Sequence, residues 1–211
     1  MNQLEINEVR RYLEELEEAR EQLIKVAREV SQLVRAVVSL SVRRRREDAH
    51  RYYQELSDRF KSLLEVSSKH PELTYSNFFY SIAAEYVEAV QLYSVVFEGR
   101  LLTLSELNVH PIPYLLGHAD LIGELKRLSL EHLRRGEYRE SFTYLELAEG
   151  IYEELSSIDI ADPIVPGLRR KLDVYRKVID DWKVLLIDIE SRVKLEKICG
   201  KILERGLTST D

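Results

Sequence analysis

Residues 81–96 read SIAAEYVEAVQLYSVV, and that stretch decides the fold class. On a helical wheel its apolar residues run nearly all the way round, the pattern of a helix covered by neighbours on most sides. Two acids interrupt it, Glu85 and Glu88. Three positions apart, they share a face with Leu92, Val95 and Val96. A carboxylate in such surroundings must be paired, protonated or bound to a cation.

A second stretch, residues 113–133, reads PYLLGHADLIGELKRLSLEHL. Asp120 and Glu124 stand four apart and also share a face. Gly117 and Gly123 lie in the same helix, where each costs roughly 1 kcal/mol against alanine. Close approach of a neighbouring helix is a reason to keep them. Two such helices would aim four carboxylates at one another, and a divalent cation is the simplest relief of their repulsion. Oxygen ligands suit Mg²⁺, with Mn²⁺ as a substitute, and the lack of thiolates argues against a soft metal. Such ions activate water and stabilise the leaving oxygen in phosphodiester cleavage.

The plainer reading stays open beside this one. The chain has 37 acids, and Asp120, Glu124, Arg127 and Glu131 also fit an exposed, salt-bridged stripe. A di-iron bundle would need Glu-x-x-His on two helices. Glu47 and His50 make one such motif, but no second accompanies either acid pair. His118 lies two residues from Asp120, so it points elsewhere and reads as structural. No phosphate loop, dinucleotide fingerprint or Ser-His-Asp arrangement is present. Cys199 reads as a small core residue of the last helix.

Outward from these stretches the pattern is helical, with no sustained strand-like alternation. Prolines at 71, 111, 113, 163 and 166 cut the chain, because proline ends or displaces helices. A first block from about Gln3 to Lys69 carries Leu13, Leu16, Leu23, Val26, Val30 and Val34 as one stripe. A break near Ser39–Val42 would separate it from a helix bearing Tyr53, Phe60, Leu63 and Leu64. Further helices are expected from near Thr74 (Ser76 being another capping candidate) to Gly99, over Thr103–Leu107, from Pro113 to about Arg135, over Tyr138–Leu155 and over Leu168–Leu203. An all-α bundle of six or seven long antiparallel helices follows, read as a single domain over residues 1–211 with a frayed tail from about Gly206 to Asp211. The last helix carries more apolar positions than one small bundle needs, so a mixture of core packing and subunit interface is expected there, with Trp182 as the residue to watch.

The bulk composition narrows the function classes. The 211 residues are 45% hydrophobic and 32% charged, with a net charge of −6. This is not a disordered chain, and the abundance of Glu, Lys and Arg suits a heat-adapted surface. A net-negative protein is not drawn globally to nucleic acid, so binding must come from a local basic cluster. The single cysteine excludes an internal disulfide and fits a reduced, cytoplasmic location. The acidic, amphipathic start is not a signal peptide, and no apolar run is long enough to span a membrane.

Arg43, Arg44, Arg45 and Arg46 form the strong positive run. On a continuous helix Arg43, Arg46, His50 and Tyr53 would share a face. Arginines clamp phosphates and aromatic rings stack on unpaired bases, which suits single-stranded nucleic acid. A solvated helix face, balanced by Glu47 and Asp48, is one alternative, and a nuclear localisation signal is another.

Three segments carry a resemblance. Residues 83–107, AAEYVEAVQLYSVVFEGRLLTLSEL, and 113–130, PYLLGHADLIGELKRLSL, resemble the two most typical stretches of the translin family. Residues 43–60, RRRREDAHRYYQELSDRF, resemble its arginine-rich stretch followed by a Tyr-Tyr pair. The match is nearer the nuclease-bearing branch, translin-associated factor X, and suggests an archaeal-type homologue. The resemblance implies a seven-helix fold assembled into a hollow, roughly octameric shell, and a Mg²⁺-dependent endoribonuclease acting on single-stranded RNA held inside. It implies catalytic and metal-binding roles for Glu85, Glu88, Asp120 and Glu124. Translin proper lacks the acid matching Asp120, which favours the nuclease branch. His118 departs from the family, which more often has a small apolar residue there. A homo-oligomer is expected, since the chain is compact. The alternative is a non-catalytic translin-like protein that binds single-stranded RNA or DNA.

Overall fold

The computed structural model describes residues 3–207. Among these residues it is all helix and turn, with no strand. The long helices are α1 (Gln3–Val42), α2 (Arg46–Ser68), α4 (Asn77–Glu98), α6 (Pro111–Arg134), α7 (Tyr138–Ser156) and α8 (Leu168–Leu207). Two single-turn helices, α3 (Pro71–Thr74) and α5 (Leu104–Leu107), fill the connections. Helix α8 runs through the first two residues of the expected tail, and 208–211 lie outside the described residues.

The punctuation has local causes. Pro71 opens α3, and both Pro111 and Pro113 sit in the first turn of α6, where the missing N–H is an orphan in any case. Ser76 caps α4 by accepting the Phe79 N–H at 3.1 Å. Gly99 closes that helix at φ +73°, a left-handed conformation that glycine adopts without strain. The expected start near Thr74 falls one turn too early: Thr74 ends α3 and donates its hydroxyl to the Ser67 carbonyl at 2.7 Å. Thr103 and Glu106 form a reciprocal capping box on α5.

The chain divides into two compact units, Met1–Leu121 and Ile122–Asp211, with the division inside α6. In the first, α1 packs along α2 and α4. Leu23, Ala27, Val30, Val34 and Val37 meet Leu56, Phe60, Leu63, Val87 and Val90 in one buried cluster. Each fully buried leucine or valine contributes about 1.5–3 kcal/mol. Phe60 and Tyr86 stack with ring centres 3.8 Å apart. The α1 stripe starts later than its spacing predicts, because Leu13 is 54% exposed.

In the second unit α7 packs on α8. Trp182 is fully buried, and its indole N–H donates to Ser129 Oγ at 3.0 Å. Ser129 donates to the Ser141 carbonyl at 3.0 Å, and Ser141 donates back to the Ser129 carbonyl at 2.8 Å. This closed polar network makes Trp182 a core residue, not the surface anchor its residue type suggests. Cys199, in contrast, is exposed rather than in the core.

Candidate metal and nucleic-acid site

Glu85 and Glu88 lie on α4, and Asp120 lies on α6, all three half-buried. The two helices meet at Gly117. A Cβ there would stand 2.6 Å from Val87 Cβ and 2.7 Å from the Ala84 carbonyl oxygen, so only glycine permits the crossing. Glu85 follows Ala84, Glu88 follows Val87, and Asp120 comes three residues after Gly117. All three acids therefore lie within one turn of the crossing along their own helices. Gly123 is different, since its nearest neighbour is the Tyr175 hydroxyl at 3.5 Å, an ordinary contact.

Glu85 is oriented from a third helix. Ser31 of α1 donates its hydroxyl to Glu85 Oε2 at 2.9 Å. The sequence carries no signal for this partner, which lies 54 positions away. Glu124 sits one turn beyond Asp120 on α6, in the second unit, with Arg127 Nη1 at 3.4 Å. Farther along the helix Glu131 turns to Arg134 and Arg135, at 2.7 and 3.0 Å. These guanidiniums hold its carboxyl down at about 2. The salt-bridged stripe thus includes Glu124, paired with Arg127, as well as Glu131, and Glu124 is the less exposed of the two acids. Among the described residues no three Asp, Glu, His or Cys side chains come together as a group able to hold a metal.

His118 is structural, as its register suggests. It is buried, and its Nδ1 lies 2.8 Å from the Tyr114 carbonyl, so Nδ1 carries the proton. Nε2 then accepts from the Gln91 amide at 3.1 Å. Gln91 also donates to the Leu102 carbonyl at 2.7 Å and accepts the Leu102 N–H at 2.8 Å. This clamp ties the segment after α4 to the crossing, with both amide N–H groups and the carbonyl oxygen of buried Gln91 engaged.

The arginine run is not a helix face. Arg43 and Arg44 form the turn between α1 and α2, with Arg44 at φ +56°, and Arg45 is the N-cap residue of α2. A break at this point, a few residues later than expected, removes Arg43 from the register of the others. Arg46, His50 and Tyr53 do share the α2 face, but they turn to α4. Arg46 donates to the Phe97 carbonyl at 2.5 Å and lies over the Phe97 ring. His50 meets the Tyr93 hydroxyl at 2.8 Å, and Tyr53 stacks on Tyr93 at 4.4 Å. Arg45 pairs with Asp48 at 3.1 Å. The aromatic faces expected for bases are thus partly occupied by the protein itself.

A family model described as the translin family matches residues 7–181. An uncharacterized protein of Methanocaldococcus jannaschii is 28% identical over 198 residues, covering 92% of this chain and 86% of that protein. The crystal structure of AfC3PO superposes with a TM-score of 0.82 at 32% identity, over 89% of this chain and 98% of that one. AfC3PO in complex with duplex RNA gives 0.82 at 31%, over 89% and 97%. Apo-NeC3PO gives 0.78 at 27%, over 86% and 95%.

Proposed function

We propose that this chain, which belongs to the translin family, is a Mg²⁺-dependent endoribonuclease cutting single-stranded RNA within a homo-oligomer. Glu85, Glu88, Asp120 and Glu124 are its metal-holding residues. The observation that supports the reading is the close α4–α6 approach at Gly117, with Glu85, Glu88 and Asp120 each within a turn of it along its own helix. Glu124 extends the same α6 face by one turn.

The donor set fits Mg²⁺ or Mn²⁺. It is all carboxylate oxygen, the one cysteine is exposed on α8, and His118 is committed to Gln91 and Tyr114. Mg²⁺ commonly takes one or two carboxylates and completes six ligands with water and substrate phosphate. That division suits a site with no group of three protein ligands among the described residues. A bound divalent cation supplies a nucleophilic water at neutral pH and charge at the leaving oxygen. The chain's residues do the positioning: Ser31 fixes the Glu85 carboxylate, and the two-helix crossing fixes the spacing of the acids.

Self-assembly is supported by α8, where Val184, Ile187, Leu195, Ile198 and Ile202 are 68, 49, 61, 54 and 64% exposed. Their three- and four-residue steps, or sums of these, make one unpartnered apolar seam of the kind helices bury against one another. An RNA substrate is supported by the duplex-RNA complex of AfC3PO. A second reading, binding of single-stranded RNA or DNA without cleavage, is favoured by the lack of a three-ligand cluster. Incubating end-labelled single-stranded RNA with the protein in Mg²⁺ and in EDTA separates the two. Shortening in Mg²⁺ alone supports the nuclease, and retention of intact RNA in both supports the binder.

A further inference from the structure

A groove of about 680 Å³ runs along α1 and is walled on its other side by α3 and the start of α4. Its floor is apolar, but its α1 wall carries Arg20, Arg28 and Arg35. They are spaced by eight and seven residues, so they recur on one helix face, about 10–12 Å apart along the axis. All three are exposed, and none has an ion-pair partner among the described residues. The one acid lining the groove, Glu72, accepts a hydrogen bond from the Tyr12 hydroxyl. Phe78, on the opposite wall, is 44% exposed. The groove comes within one side chain of Glu85. Ser31, which holds Glu85, is one of its lining residues, and Ile82 lies one turn before Glu85.

We propose that this groove is the track for an unpaired RNA strand, with Arg20, Arg28 and Arg35 on successive phosphates or phosphate pairs, Phe78 stacked on a base, and the strand delivered to Glu85. The inference rests on the nuclease reading and adds where the substrate lies. Three guanidiniums along one wall, without ion-pair partners among the described residues, are complementary to a chain of phosphates, and guanidinium is the planar donor that grips them. An exposed ring opposite gives a sequence-tolerant platform for a base. The arginines of the α1–α2 turn are a poorer track, because Arg45 and Arg46 are already engaged.

The test is binding of a short, unstructured, fluorescein-labelled RNA in EDTA, followed by anisotropy across a series of salt concentrations. The exposed triple variant Arg20→Gln/Arg28→Gln/Arg35→Gln should lower the slope of log affinity against log salt by about 2, since each phosphate contact contributes about 0.7 on single strands. Phe78→Ala should weaken binding about tenfold with the slope unchanged. The single variant Arg28→Gln, lowering the slope by about 0.7, covers the case in which the triple variant folds poorly. A folded triple variant with wild-type slope and affinity overturns the groove, as does loss confined to variants of Arg43–Arg46. The parent reading is scored separately, by wild-type cleavage in Mg²⁺. Groove-dependent binding without cleavage sinks the nuclease and keeps the track, whereas cleavage with groove-independent binding does the reverse.

Discussion

Ser31 on α1 donates its hydroxyl to Glu85 Oε2 on α4 across 2.9 Å, so a half-buried acid of α4 is held by a helix far away in sequence. Removing the hydroxyl leaves Glu85 half-buried and free to rotate. Ser31→Ala should lower the single-turnover cleavage rate about tenfold, with a stability loss of about 1.5–3 kcal/mol at most, the worth of a hydrogen bond to a charged group. Cleavage rates and urea melts check both. An unchanged rate would show that Glu85 needs no orientation.

Gly117 and Gly123 make a matched pair in one helix. Gly117→Ala drives a methyl into Val87 and the Ala84 carbonyl. It should destabilise by about 1–3 kcal/mol and depress cleavage, because the acids flank the crossing that must open. Gly123→Ala meets only the Tyr175 ring edge at 3.5 Å or more. It should stabilise by up to about 1 kcal/mol through helix propensity. Thermal melts of the two variants give shifts of opposite sign.

Tyr86 predicts an alkaline limit. Burial against the core pushes its hydroxyl up to about 12 from an ordinary 10. The folded protein therefore favours the neutral phenol, and its full contribution is present below pH 10. As pH rises from 10 through 12 the unfolded chain ionises first, and about 2–3 kcal/mol of stability is lost. Tyr86→Phe keeps the stack on Phe60 and should flatten this loss in denaturant melts at pH 9 to 11.5. An equal loss in both proteins would assign the alkaline limit to other groups.

The indole of Trp182 closes the Ser129–Ser141 network. Ser129→Ala leaves its buried N–H without an acceptor and should destabilise by about 1–3 kcal/mol. Val184→Asp on the exposed face of α8 should leave the monomer's fold intact while lowering the particle mass in light scattering toward that of one chain.

How much of this is legible in the sequence depends on the range of the interaction. Helix boundaries are local, so Ser76, Gly99, the prolines and the apolar spacing around 81–96 announce them. The acids at 85, 88, 120 and 124 are legible as pairs, because three- and four-residue steps on a helix are also local. Gly117 is a signal of close approach, but only the α4 backbone beside it shows why Gly123 is not. Partners distant in sequence leave no trace: Ser31 for Glu85, Ser129 for Trp182 and Tyr93 for Tyr53 come from tertiary packing. The arginine run misleads for the same reason. Its periodicity holds only if the helix continues, and the left-handed turn at Arg44 breaks it.

The most direct measurement is the single-turnover rate of RNA cleavage in Mg²⁺ for Asp120→Asn, with folding and RNA affinity followed in parallel. Charge removal with shape retained should abolish cleavage, by about a hundredfold or more, with affinity in EDTA near wild type, because such an acid acts by holding the cation rather than the strand. Cleavage by Asp120→Asn at the wild-type rate, or by the wild type in EDTA, would contradict the account.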